Sequence, residues 1–200
     1  MSLRVFAAVV LVGMLAGCQD GETSRLNNPN TPYLAASSNS ASRGTSGYDP
    51  ISYWDGDGVP GTPSVAIHIS EERAYFYKGG QLVGVSQLST GREGHDTPPG
   101  SYKIIQKDPN HASSLYGDYV DAAGNIVQKD VELGKDPKPP GAIFKGAPMP
   151  NFMRITGGVG MHEGYLPGYP ASHGCIRMPG KMAQIFFNNV ALGTPVTIDR

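Results

Sequence analysis

The stretch Met161-His162-Glu163-Gly164-Tyr165-Leu166-Pro167-Gly168-Tyr169-Pro170-Ala171-Ser172-His173-Gly174-Cys175-Ile176-Arg177 governs how the rest of this 200-residue chain is read. It sets two imidazoles and one thiol within fourteen residues, on a glycine-rich backbone. A thiol is a weak nucleophile until it loses its proton. A neighbouring imidazole can take that proton and then stabilise the thiolate as imidazolium. Gly174 has no side chain, so a carbonyl can approach the backbone closely there. The N–H groups of Gly174 and Cys175 are then candidates to hold the oxyanion of a tetrahedral intermediate. On the residues alone, three readings of Cys175 stay open: nucleophile of an acyl transfer, buried passenger thiol, or metal ligand with His162 and His173. A single intervening residue between His173 and Cys175 is poor spacing for structural zinc. A cysteine that follows its histidine also reverses the papain-like order.

Outward from this stretch the chain reads as β-rich. Val65, Ile67 and Ile69 alternate with polar residues, the period-two pattern of a half-buried strand. Arg73 to Lys78 and Gln81 to Leu88 flank Gly79-Gly80, a hairpin signal. Ser101 to Gln106 follows Pro98-Pro99-Gly100 as a further strand, and Asn151 to Thr156, Gly158 to His162 and Pro195 to Asp199 add three more. Residues 107–150 are polar and proline-punctuated, and read as a long connection that walls a cleft. One short helix is expected after Pro179, with Met182, Ile185, Phe186 and Val190 on one face and Gly193 at its end. The expected architecture is a mostly-β domain over residues 62–200, sandwich- or barrel-like, with one short C-terminal helix.

The N-terminal part has a different character. Arg4 precedes thirteen almost wholly apolar residues, Val5 to Gly17. A membrane-spanning helix needs about 20 such residues and a signal-peptide core about 7 to 15, so residues 1–17 read as an export signal. The run ends Leu15-Ala16-Gly17-Cys18, which resembles the lipobox of bacterial lipoproteins; a plain signal sequence with an incidental cysteine is the alternative. The resemblance implies lipidation of Cys18 and anchoring at a membrane. With Gln19 after the cysteine, it implies the periplasmic face of the outer membrane in a Gram-negative host. From Gln19 to Pro50 only seven of 32 residues are apolar, so residues 18–61 are assigned to a flexible tether. Within it Ile51, Tyr53 and Trp54 are apolar enough to dock on the domain.

Composition narrows the function classes. Sixteen basic against 17 acidic residues leave a charge of −1, which gives no phosphate-neutralising surplus and argues against nucleic acid as a partner. With 27 glycines and 17 prolines a helical bundle is excluded. Two cysteines and no CxxC pair exclude a disulfide scaffold and a dithiol redox site. Lipidation of Cys18 would leave Cys175 as the one thiol of the mature chain. No metal and no organic cofactor is expected.

The run Ser172-His173-Gly174-Cys175-Ile176-Arg177, with His162 upstream, closely resembles the signature of the L,D-transpeptidase (YkuD-type) catalytic domain. Ser89-Thr90-Gly91, Thr97-Pro98-Pro99-Gly100-Ser101-Tyr102, Ser114-Leu115-Tyr116-Gly117 and Gly193-Thr194-Pro195-Val196 are similar to further segments of that family, so the likeness spans about residues 64–199. It implies action on bacterial peptidoglycan. Cys175 would attack the carbonyl of the third stem-peptide residue, expel D-alanine, and pass the thioester to an amine: another stem, a lysine of a wall-attached lipoprotein, or a free D-amino acid. Water as acceptor, or a wall-binding lipoprotein without turnover, are the rival readings. His162 matches the general base, the backbone carbonyl of Glu163 orients its ring, and the Gly174 and Cys175 amides match the oxyanion hole. His173 either bonds substrate or fixes the turn, and Ser172 either shapes the loop or touches substrate. Arg177, where some branches carry Asn, suits a substrate carboxylate or a structural salt bridge. Tyr116, Tyr165 and Tyr169 are candidate groove residues, while His95 and His111 sit where they can reach the cleft. The nine residues between His162 and Ser172 are fewer than in many members.

Overall fold

A computed structural model describes residues 49–200. The proposed signal segment 1–17, Cys18 and most of the tether lie outside the described residues.

The first sheet grows from the alternating run at its centre. Strand β2 (Pro63–His68) turns Val65 and Ile67 inward, and β3 (Arg73–Lys78) returns antiparallel with Ala74 and Phe76 on the same buried face. Gly79 and Gly80 have φ of 57° and 83°, the positive pair that a two-residue hairpin turn requires, and lead into β4 (Gln81–Gln87). The closing strand β11 (Pro195–Asp199) lies parallel to β2, with Val196 beside Val65 and Ile198 beside Ile67; β5 (Gly100–Lys103) adds antiparallel to β11. The outer strand on the other side is β1 (Tyr53–Trp54), paired with β4. The sheet order is therefore β1-β4-β3-β2-β11-β5.

Strand β1 moves the start of the folded body upstream of residue 62, into the segment assigned to the tether. Trp54 is buried edge-on against Phe76, with ring centroids 5.1 Å apart, and its indole N–H donates to Asp57 Oδ1 at 2.8 Å. Gly84 faces it across the strand pair, where a Cβ would come within 2.6 Å of the indole. One large apolar ring in a polar stretch found a glycine-lined slot, and the burial of such a ring outweighs the polarity of its neighbours.

The second sheet runs β10-β9-β8-β6-β7. Its long strands β6 (Gln106–Val120), β7 (Ile126–Glu132) and β8 (Ile143–Thr156) occupy the region read from sequence as a connection. That reading is corrected, and the physical reason lies in the pairing. Proline is tolerated in a strand where its missing N–H faces no partner. The stretches holding Pro109, Pro148 and Pro150 belong to the half of the β6–β8 ladder not flanked by β7 or by the paired part of β9. The polar character comes from surface exposure, and a small second core of Tyr119, Val131 and Ala142 with Phe144 holds the far end. Between Ala112 and Gly117 the β6–β8 register shifts, so Ser113–Tyr116 leave the ladder.

Helix α1 (Gly180–Asn189) follows Pro179 as expected and packs on β8 and β9. Met182, Ala183 and Phe186 are buried; Val190 is already extended, so the helix stops before Gly193. Phe186 meets Phe76 of the first sheet at 4.9 Å, and Met153, Ile155, Met161 and Met178 complete a core shared by both sheets and the helix. The fold is mostly β, as the alternation implied.

Candidate active site

Two strands bring the decisive residues together. β9 (Val159–Glu163) and β10 (Ile176–Met178) run parallel, with Met161 opposite Ile176 and His162 opposite Arg177. Cys175 enters β10 one residue earlier, beside the β9 residue Gly160, whose backbone hydrogen-bonds the sulfur. The Cys175 thiol donates to the Gly158 carbonyl, with sulfur to oxygen at 3.4 Å. His162 and Cys175 line one cavity of about 470 Å³, together with His111, Tyr116, Arg154 and Arg177.

His162 is 6% exposed, and its Nδ1 lies 2.7 Å from the Glu163 carbonyl oxygen. A carbonyl only accepts, so the ring carries its proton on Nδ1 and presents an unprotonated Nε2. Burial pulls its pKa down from 6.5 to about 4, helped by the charges of Arg177 and His111 and opposed by the Glu163 carbonyl. Burial also pushes the Cys175 thiol up, against the Gly160 hydrogen bond and the charges of Arg154 and Arg177. Both shifts favour neutral forms. Burial therefore favours the thiol and imidazole over the thiolate and imidazolium expected from the sequence, because the cavity wall desolvates charge on either partner.

The nucleophile loop is built from turn chemistry. Gly174 has φ of +106°, a conformation that side chains disfavour. Its N–H donates to Ser172 Oγ at 3.1 Å, and that hydroxyl donates to the Cys175 carbonyl. This corrects one expectation and bears on another. The Gly174 amide is turned onto Ser172 rather than held ready for an oxyanion, which leaves the Cys175 amide as the other member of the expected pair. Ser172 borders the cavity, yet its hydroxyl is engaged within the turn, so it shapes the loop in place of contacting substrate.

Three segments beyond the signature brace this loop. Ser89 and Arg177 exchange both backbone hydrogen bonds at 3.0 Å, and the Ser89 hydroxyl donates to the Tyr169 carbonyl at 2.8 Å. The Thr90 carbonyl accepts from the Ala171 and Ser172 amides, while its own amide and hydroxyl reach the carboxylate of Glu72. Thr97 Oγ1 accepts from the Gly91 amide at 2.9 Å and donates to the Gly174 carbonyl at 3.0 Å. Ser89, Thr90 and Thr97 are all buried. Sequence reading marked these serine and threonine positions only by likeness, with no role, and missed Glu72 altogether. Nothing in a linear string announces a glutamate that folds back at φ of 51° onto Thr90.

The remaining candidates separate clearly. Arg177 takes part in no salt bridge among the described residues, and its aliphatic stem lies along Gly164, where a Cβ would fall 2.9 Å from its Cγ. Burial lowers its pKa, with the charge of Arg92 adding to that and Cys175 opposing it. Glu163 turns its carboxylate onto Gly180 at the start of α1, where a helix N-terminus favours negative charge. His173 is exposed and stacks on Tyr116 at 4.1 Å and edge-on to His95 at 4.9 Å. Partial burial lowers its pKa, with Arg92, His95 and Arg177 adding. Tyr165 lines the cavity at 58% exposure, whereas Tyr169 does not line it. Among the described residues no three His, Cys, Asp or Glu side chains cluster as a metal site. His111 and Arg154 also line the cavity; His111 comes from β6 in the region read as a connection, and Arg154 from the part of β8 expected as a strand.

A family profile described as the L,D-transpeptidase catalytic domain, YkuD, matches residues 62–198. Comparison with curated proteins returns no match. Among solved structures, an L,D-transpeptidase from Mycobacterium smegmatis is similar at 18% identity and TM-score 0.51, over 70% of this chain and 59% of that one. One from Enterococcus faecium is similar at 21% identity and TM-score 0.51, over 70% of this chain and 50% of that one. One from Stackebrandtia nassauensis is similar at 17% identity and TM-score 0.50, over 70% and 56%. This chain therefore spans a half to three fifths of those structures, and the likeness to them is one of fold. The profile match covers most of the sequence, and the chain belongs to the YkuD family of L,D-transpeptidase catalytic domains.

Proposed function

We propose that this protein is a cysteine acyltransferase of bacterial peptidoglycan, an L,D-transpeptidase working through Cys175 and His162. One observation carries the reading: an Nδ1-anchored imidazole on β9 and a thiol at the entry to the adjacent parallel strand β10 line the same cavity. As Sγ bonds to the carbonyl carbon of the third stem residue, its proton passes to His162 Nε2. The oxyanion is met by the Cys175 N–H. Collapse breaks the C–N bond, and His162 returns the proton to the leaving amine of D-alanine, which leaves a thioester on sulfur. An amine then attacks the thioester and restores the thiol. A neutral resting pair suits this route, since proton transfer accompanies attack and no buried ion pair has to be maintained.

The cations Arg154 and Arg177 line the cavity, while the one carboxylate in its wall, Glu163, lies against α1. That charge asymmetry suits a substrate rich in carboxylates, as stem peptides are. Arg177 is the better candidate fork, since Arg154 already donates to Gln106 Oε1 and to the Gly157 carbonyl, each at 2.7 Å. The amine acceptor is a second stem, a lysine of a wall lipoprotein or a free D-amino acid. The lipobox at Leu15–Cys18 supports placement in the cell envelope on an N-terminal lipid.

The test is incubation with a tetrapeptide donor, read by mass spectrometry of the intact protein. The wild type gains the mass of the acyl group on Cys175 and releases D-alanine; Cys175→Ala does neither while remaining folded. Undiminished D-alanine release from Cys175→Ala would refute the assignment, and release without transfer to any supplied amine would identify a hydrolase.

A further inference from the structure

Glu72 stands where the first sheet meets the nucleophile loop. The β3–β4 ladder runs to Arg73 opposite Gln87, and the Leu88 amide closes the next step by donating to the Glu72 carbonyl at 2.8 Å. Upstream, Ile69–Glu71 form a single 3-10 turn, and Glu72 follows it at φ 51° and ψ 48° with its amide on the Ile69 carbonyl at 3.1 Å. The backbone bends away there, so β3 offers no carbonyl to the next amide on the same side of the β4 extension, that of Thr90. The Glu72 carboxylate takes the place of the missing backbone acceptor: Oε2 accepts from the Thr90 amide at 2.7 Å, and Oε1 accepts from the Thr90 hydroxyl. Thr90 is fully buried, so loss of the carboxylate strands its amide. Glycine would form this left-handed turn more easily than a residue with a side chain. What glycine cannot supply is the acceptor for Thr90.

From Thr90 the connection to the sulfur is short. Glu72 holds the Leu88 and Thr90 amides on one side of segment 88–90, and Ser89 between them exchanges hydrogen bonds with Arg177 on the other. The Thr90 carbonyl accepts from the Ala171 and Ser172 amides, each at 3.0 Å, and the Ser172 hydroxyl ties the Gly174 amide to the Cys175 carbonyl. His162 is held by other contacts, the Glu163 carbonyl and the pairing of β9 with β8 and β10. Thiol and imidazole are therefore placed by two separate sets of bonds, and loosening the first displaces the sulfur while leaving the ring where it is.

We propose that Glu72 is a positioning residue for the nucleophile, its carboxylate setting the place of Cys175 Sγ against His162 through Thr90 and Ser172. This rests on the acyltransferase reading above and deepens it. No proton moves to or from Glu72; its task is reach and hydrogen-bond acceptance rather than charge. The Thr90 hydroxyl can accept as well as donate, so glutamine can serve both of its groups, with the side-chain oxygen on the amide and the NH₂ on the hydroxyl. Aspartate keeps the charge but falls one methylene short.

Four variants of the full chain separate the side chain's task from that of the turn. Rapid quenching and mass spectrometry over a range of tetrapeptide donor concentrations give the rate of thioester formation, and urea midpoints are measured on the same proteins. In Glu72→Gly the maximal rate should fall about 30-fold, short of the roughly hundredfold that a displacement of about 1 Å costs, with the half-saturating donor concentration within about threefold of wild type. Glu72→Ala should have a lower urea midpoint than Glu72→Gly, since alanine has to enter the left-handed region, yet form the thioester at the same reduced rate. Glu72→Gln should recover the rate to within about threefold of wild type, while Glu72→Asp should behave as Glu72→Gly does. If the glycine variant does not fold, the glutamine and aspartate variants decide the matter between them. A rate that follows the urea midpoint across the series overturns the assignment alone, as does a rate in Glu72→Gly within about threefold of wild type. Better recovery by aspartate than by glutamine overturns it as well, because charge is then what the position supplies. A wild-type chain that never forms the thioester overturns the acyltransferase reading and this inference with it.

Discussion

Acidification probes the burial of His162 directly. The folded ring titrates at about 4, against 6.5 for a free imidazole. Above pH 6.5 folded and unfolded chains both hold the ring neutral, and its titration leaves stability unchanged. As pH falls from 6.5 toward 4 the unfolded chain binds a proton that the folded chain refuses, so stability drops; below 4 the penalty is constant. Across the whole window the loss is about 3 kcal/mol, of which about 2 kcal/mol is present by pH 5. Solvent screening takes little from this, since the ring is 6% exposed. Urea unfolding at pH 7 and pH 5 measures it, with His162→Gln as the reference in which every other titration is retained. At a slope of about 2 kcal/mol per molar urea, the wild-type midpoint should fall about 1 M further than that of the variant. Nitrogen NMR of the imidazole should find the ring about 90% neutral at pH 5, with the proton on Nδ1, where an ordinary imidazole is about 3% neutral. Equal losses in wild type and variant, or a ring that titrates near 6.5, would refute the reasoning.

Two other expectations are independent of that titration. Thr97→Val keeps the shape but strands the Gly91 N–H and the Gly174 carbonyl in a buried place, at a cost of about 2 to 4 kcal/mol. Denaturant midpoints check this, and Thr97→Ser should recover most of the loss. Alkylation of Cys175 by a neutral reagent at pH 7 should run slower than for a free thiol, because burial lowers the thiolate below the about 3% an ordinary cysteine carries. A rate above that of the free thiol would restore the resting ion pair.

Much of the fold is legible where the period of the side chains is unambiguous. The run Val65 to Ile67, the Gly79-Gly80 turn, the strand Pro195–Asp199 and the helix after Pro179 all follow from alternation, positive-φ glycines or a one-sided apolar stripe. The failures share a cause. Residues 107–150 carry polar strands whose pairing partners are far along the chain, Gln106 with Arg154 and Val120 with Ile143, and composition there reports solvent exposure rather than backbone state. Trp54 is legible as a ring able to dock on the domain, but its place is not, since its slot is made by Gly84, thirty residues on. At the site, the thiol and the His162 ring are legible because they fall within one short segment. Glu72 is not, and Thr97 and His111 are legible only as a family likeness and as a histidine within reach of the cleft, because the partners that fix them, Thr90, Gly174 and Phe152, lie far along the chain.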